Sequence, residues 1–134
     1  MQPAMSRPRI PADGAIDLQL HTIYSDGTWT PPQLLDSLVR EQFSLGAITD
    51  HERINTAATL QQLAQERQFP LVVAAEISAS WRGEPTDVLC YGYAQTHHLL
   101  TSSGSDSHGP ERKPIKYRAE WSRALLERLG FDIQ

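Results

Sequence analysis

Short apolar runs alternate with amphipathic stretches along the first half of the chain. Residues 15 to 20 (AIDLQL), 45 to 49 (LGAIT) and 71 to 75 (LVVAA) read as three short, buried strands. Between the first two, Leu34, Leu35, Leu38 and Val39 form a helical stripe, opened by Thr30 as N-cap with Pro31 at the first helical position. Between the second and third, residues 55 to 67 carry Ala57, Leu60, Leu63 and Ala64 on one helical face. Strands alternating with helices of this length imply right-handed crossovers and a mostly parallel sheet.

The pattern then changes. SASWRGEPTDVLCYGYA reads as a hairpin turning at Gly83 to Pro85. A polar, turn-rich stretch follows, and residues 118 to 129 predict a last helix with Trp121, Leu125 and Leu129 inward and Gly130 just past its end. Residues 1 to 14 hold three prolines and no apolar run, and read as a flexible leader rather than a signal peptide or membrane span. Residues 15 to 134 are expected to form one domain.

Composition narrows the function classes. The chain is 40% hydrophobic and 21% charged, as expected of a soluble globular protein. A net charge of -4 disfavours general coating of nucleic acid or a membrane surface. The single cysteine, Cys90, excludes an internal disulfide and points to a reducing, cytoplasmic setting, with the thiol expected to be buried and structural.

The chemistry collects at strand ends. His21 and Asp26 follow the first strand, Asp50 and His51 the second, and Glu76 the third. All lie at the carboxyl edge, where parallel α/β sheets hold their sites. SGSDSHG adds Asp106 and His108 in a tight loop. Such a mixture of imidazole and carboxylate suits zinc, manganese or iron. Each piece alone has a plain structural account, since S-D-G makes a good turn and a lone histidine often caps a strand. It is their convergence on one edge that points to a metal site. Arg112 and Lys113, after the last motif, and Arg53, after His51, could clamp a substrate phosphate. A solvated basic loop is the alternative.

The motifs DLQLHT…SDG, ITDH, AAEIS and GSDSHG resemble, in order, those of the PHP (polymerase and histidinol phosphatase) domain of metal-dependent phosphoesterases, over about residues 16 to 110. The resemblance implies a distorted seven-stranded β/α barrel with two or three divalent metals. It also implies hydrolysis of phosphate esters of small molecules, nucleotides or oligonucleotide ends. His21, Asp26, His51, Glu76, Asp106 and His108 would be the ligands. Glu76 would bridge metals, and Asp50 would orient His51; these three make the catalytic group.

Three departures stand out. Gln19 replaces a histidine of the family's H-x-H pair, leaving a weak ligand. Leu89 stands where a strand histidine is usual. The middle βα units are absent, with only His97 and His98 near the place of another histidine. The fold expected is thus a truncated PHP-like barrel with open sheet edges, which a homodimer could cover. The function expected is metal-dependent phosphoester hydrolysis; the alternatives are a catalytically weakened metal-binding or interaction module, or an internally deleted remnant.

Overall fold

The computed structural model describes residues 7–53, 55–91 and 104–134. In chain order the elements are β1 (Arg9–Ile10), β2 (Ala15–Leu20), α1 (Pro31–Arg40), β3 (Leu45–Ile48), α2 (Ala57–Glu66), β4 (Leu71–Trp81), β5 (Glu84–Tyr91), β6 (Tyr117–Arg118), a 3-10 turn (Ala119–Ser122), α3 (Arg123–Arg128) and β7 (Asp132–Ile133). His97 and His98 lie outside the described residues. No helix of the described residues is long and apolar enough to cross a membrane.

Five strands form one sheet in the order β5-β4-β3-β2-β6. The expectation of a mostly parallel sheet is corrected: β2, β3 and β4 run parallel, and the two outer pairings are antiparallel. The connections explain the difference. α1 and α2 are the crossovers that parallel pairing requires, whereas β5 follows β4 after two residues, too short for any crossover. Those two, Arg82 and Gly83, both have positive φ, as a tight hairpin with right-handed twist demands. Arg9–Ile10, inside the expected leader, pairs in parallel with Asp132–Ile133.

The helix ends follow from local chemistry. Thr30 accepts from the Gln33 N–H, and the Gln33 side chain accepts from the Thr30 N–H, so both orphan donors are satisfied. All three helices stop alike. Gln42, Gln68 and Gly130 take positive φ, and Phe43, Phe69 and Phe131 donate back to Leu38, Ala64 and Leu126. Phe43 and Phe69 are buried beyond those ends.

Two apolar clusters sit on the sheet. Ile16, Leu18, Leu45 and Ala47 pack with Leu125, Leu126 and Ile133; Leu20 and Ile48 pack with Leu34, Leu35, Leu38 and Leu60 beneath α1 and α2. Leu20 shares parity with Ile16 and Leu18 yet joins the other cluster. A register shift in β2 between Asp17 and Leu20 causes this.

Three side chains differ from expectation. Trp121 is 57% exposed, because it lies in the 3-10 turn, whose tighter winding rotates it off the inward face that Leu125 and Leu126 occupy. Val39 is exposed at the edge of the α1 stripe. Cys90 is exposed as well, since the alternation of β5 gives the inward place to Tyr91.

The open edge of β2 is covered by the segment from residue 104 to 118. The segment is bridged in parallel at Leu20–Ser107 and antiparallel at Ala15–Arg118 and Ile16–Tyr117. Between these anchors Asp17, fully buried, accepts from the backbone N–H of Ser105 at 2.9 Å, Ile115 at 3.1 Å and Gln19 at 3.3 Å. Burial raises its carboxyl from the usual 3.8 to about 6, against the lowering effect of those hydrogen bonds.

Two predictions follow from this architecture. Gln42→Gly and Gln68→Gly should each stabilise the protein by roughly 0.5–1 kcal/mol, as urea melts would register, because glycine adopts positive φ without strain; a loss of stability would contradict the strained C-terminal turns. For Asp17, a folded-state pKa above the unfolded one means the native state binds more protons between pH 4 and 6. Its contribution to stability should therefore fall as pH rises through that window, by about 3 kcal/mol in all. Asp17→Asn should lack that slope when the two proteins are melted across pH, and parallel pH profiles would refute the assignment.

Candidate metal centre

The carboxyl ends of β2 and β3, the middle of β4 and residues 105–108 lie next to one another; Glu76, expected just past its strand, sits inside it because the hairpin carries β4 on to Trp81. The backbone holds this edge tightly. His21 N–H donates to Ser107 and Asp106 N–H to Gln19, both at 2.9 Å. Glu52 N–H donates to Glu76 and Glu76 N–H to Asp50, which continues parallel pairing past β3 as a His51–Glu76 bridge. β2 and β3 thus bring the side chains just past their ends, and β4 brings Glu76 from its middle, to the same place.

There the rings of His21, His51 and His108 stack, with centroids 4.7 Å (His21–His51) and 4.2 Å (His21–His108) apart. Carboxylates surround them. His51 Nδ1 lies 3.0 Å from Glu76 Oε2, and its Nε2 lies 3.4 Å from Asp26 Oδ2. His108 Nε2 lies 3.1 Å from Asp26 Oδ1, while its Nδ1 is 2.7 Å from the Asp106 carbonyl. His21 Nε2 lies 2.8 Å from Asp106 Oδ1.

Burial and charge pull these groups apart. Burial holds His21 below the ordinary imidazole range, and the charge of His108 adds to the effect. For Asp26 burial, the largest single influence, pushes upward, but the His108, His51 and His21 charges together outweigh it, so its carboxyl is lowered. For His108 burial is outweighed by the Asp106 carbonyl and the Asp26 and Asp106 carboxylates, so its imidazole is raised.

His21 supplies the test of whether a metal ion fits. Its ring is fully buried, yet neither nitrogen has a hydrogen-bond partner. The Asp106 oxygen lies 2.8 Å from Nε2 without forming a hydrogen bond to it. Buried polar atoms left so are costly, and donor atoms crowding together without hydrogen bonds are what a shared cation satisfies. His21, Asp26, His51 and His108 each offer an atom within 4.8 Å of the others, as do His21, Glu76 and Asp106. Imidazole with carboxylate is the donor set of divalent transition metals. The residues fit such an ion.

The other expected residues are placed differently. Gln19 donates its amide N–H groups to Glu76 Oε1 at 3.0 Å and Asp106 Oδ1 at 3.2 Å. Asp50 is buried and accepts from Thr22 N–H at 2.7 Å, Thr22 hydroxyl at 2.6 Å and Ser25 hydroxyl at 2.8 Å. It thus braces the loop carrying Asp26, and the contacts to the His51 ring come instead from Glu76 and Asp26. Arg112 and Lys113 are exposed without an ion pair among the described residues, and the Arg112 backbone is tied to Ser107 and Gly109 around His108. Lys116 lies over Phe43, and Arg118 pairs with Glu120 at 2.8 Å, so those two cations are engaged elsewhere. Arg53 is exposed beside α2, lining a small cleft with Thr56 and Leu60.

Sequence reading missed two residues. Asp17 stands in the first motif with no chemical role of its own, though a carboxylate inside an otherwise apolar strand signals buried N–H groups to satisfy. Asp87 on β5 has an atom within 4.8 Å of His51 and Glu76 donors. It lies two residues before Leu89, on the same strand face, and strand periodicity could have shown it.

No family model matches the chain. It is 27% identical over 86 residues to a 5'-3' exoribonuclease of Haemophilus influenzae, covering 64% of this chain and 31% of that protein. It is 35% identical over 66 residues to a 3',5'-nucleoside bisphosphate phosphatase of Chromobacterium violaceum, covering 49% of this chain and 23% of that protein. Among solved structures, an amidohydrolase from Chromobacterium violaceum with bound sulfate and no metal superposes with a TM-score of 0.54 at 29% identity, covering 58% of this chain and 28% of the other. A protein from Bifidobacterium adolescentis assigned as a metal-dependent phosphoesterase gives 0.56 at 28% identity, covering 60% and 28%. The chain spans under a third of the length of the curated relatives it matches. In sequence and in fold, this chain resembles part of the metal-dependent phosphoesterases of the PHP type.

Proposed function

We propose that the protein is a metal-dependent phosphoesterase acting on small phosphorylated molecules, nucleotides such as nucleoside bisphosphates above all, with an oligonucleotide end as a second candidate. The observation that carries this reading is the convergence of His21, His51 and His108 with Asp26, Glu76 and Asp106, with the buried His21 nitrogens lacking hydrogen bonds. The sequence likeness to a bisphosphate phosphatase supports the substrate class.

His21, Asp26, His51 and His108 would hold a divalent ion, manganese, zinc or iron by their chemistry, and Glu76 and Asp106 would stand beside it. Such an ion supplies positive charge to phosphoryl oxygens and acidifies water near neutral pH. The chain's own groups do the rest. Glu76, against His51 Nδ1, fixes the ring's tautomer and orientation. Asp50 positions the loop that presents Asp26. His108, held at Nδ1 by the Asp106 carbonyl, keeps Nε2 turned to Asp26, where its lone pair would be free for the ion. Arg112 and Lys113, exposed beside the His108 loop, would meet the substrate phosphate, arginine through its two-pronged guanidinium.

A second reading, a metal-binding or interaction module with little turnover, is favoured by one observation: the Gln19 amide occupies the space between Glu76 and Asp106. In either reading the outer edge of β5, without a strand partner among the described residues, is where a second copy would pair. A cytoplasmic location fits the single, exposed thiol of Cys90.

The purified protein should release phosphate from a 3',5'-nucleoside bisphosphate in the presence of Mn²⁺, and a chelator should abolish that release. His51→Ala and Glu76→Gln should each lower kcat/KM by about 100-fold or more. Turnover indifferent to chelator, or to His51→Ala, would overturn the enzyme reading. Metal uptake without turnover would favour the module.

A further inference from the structure

We infer that the Gln19 amide is a built-in substitute for a cation between Glu76 and Asp106, so that the centre takes one divalent ion fewer than a histidine at that position would allow. The inference rests on the cluster being a metal centre, and concerns how many ions this chain accepts.

Glu76 is only 5% exposed, and Asp106 is half-buried beside it. Two carboxylates sharing such a place repel unless a positive charge or a shared donor lies between them. The Gln19 side-chain nitrogen provides that donor, with Glu76 Oε1 at 3.0 Å and Asp106 Oδ1 at 3.2 Å. The orientation of the amide is fixed by the same neighbours. Turned over, its oxygen would face two carboxylate oxygens with no proton between them, whereas the NH₂ group gives one N–H to each.

The surroundings leave Gln19 little freedom. Its carbonyl accepts the Asp106 N–H at 2.9 Å, and Asp106 is held at a positive φ of 59°. A side chain on Gly104 would run into Gln19, so the loop can approach this closely only because residue 104 is glycine. Gln19 and Asp106 are therefore fastened by backbone and side chain together. A neutral amide here meets the electrostatic need of the carboxylates without any ion, and keeps them bridged when none is bound.

A histidine would reverse the arrangement. An imidazole offers one directed lone pair and, when neutral, a single N–H, so it could not serve both carboxylates as the NH₂ group does. It would instead add a ligand to Glu76 and Asp106 and make a cation position of them. The remaining group, His21, Asp26, His51 and His108, is untouched by Gln19 and forms one ion position.

Native mass spectrometry of the full chain with Mn²⁺ or Zn²⁺ alone counts ions without reference to turnover. Gln19→His should bind one ion more than the natural chain; equal counts would overturn the inference. The absence of any ion from the natural chain would separately defeat the metal-centre reading, while a gain of one on substitution would still uphold the role of Gln19. Thermal melts in chelator supply the second measure. Gln19→Glu gathers three carboxylates and should melt well below the natural chain, recovering when Mn²⁺ is added. A Gln19→Glu protein that melts in chelator at the natural temperature would show that the amide does not stand in for a cation.

Discussion

The carboxylate of Asp17 is the point on which the architecture turns. It lies fully buried at the edge of β2 and accepts N–H groups from Ser105 and Ile115, so a polar segment is fastened along a strand that would otherwise expose its backbone. Covering that edge answers the main hazard of an open sheet, the unpaired strand. The cost is a carboxylate held out of water, visible in its raised pKa. Three hydrogen bonds from rigid backbone offset much of that cost, as buried charge requires.

The same fastening delivers chemistry. Residues 105–108 lie against β2 because Asp17 and the Leu20–Ser107 bridge hold them there, and this brings Asp106 and His108 within reach of His21 and Asp26. Trp29 strengthens the placement by donating its indole N–H to Ser107 at 3.0 Å. Asp50 plays the matching part on the other side, holding Thr22 and Ser25 so that the loop after β2 sets Asp26 against His51 and His108. Two buried carboxylates, neither in the candidate ligand groups, thus frame a cluster whose own carboxylates face imidazoles. The division is physical: acceptors surrounded by N–H and O–H donors are spent on structure, and those left against ring nitrogens remain available for a cation.

Much of this was readable along the chain. The strand ends at His21 and His51 followed from the alternation of apolar runs and helical stripes, because crossover helices force parallel order and parallel order puts the strand ends together; Glu76, expected past a strand end, lies inside β4, which the hairpin prolongs. The Thr30 cap and the hairpin at Gly83 followed from local rules that need no tertiary partner. Less legible were the faces. Trp121 was expected inward from helical spacing, but a 3-10 turn changed the angle per residue. Cys90 was expected buried from its residue type, but strand alternation with Tyr91 decided against it.

The sequence by itself determined which residues of this protein could do chemistry, and that His21 and His51 would follow strand ends, because periodicity and chain connectivity are properties of local order. Only the tertiary structure decided what each carboxylate is for. Asp17, Asp50, Glu76 and Asp106 are all carboxylates in the sequence, yet the first two meet backbone N–H and hydroxyl donors while the others meet imidazole rings and the Gln19 amide. Their partners lie up to 98 residues away along the chain, as in the Ile115–Asp17 bond. No local pattern encodes contacts at that range. They arise when the sheet edge is covered and donors and acceptors must pair out of water.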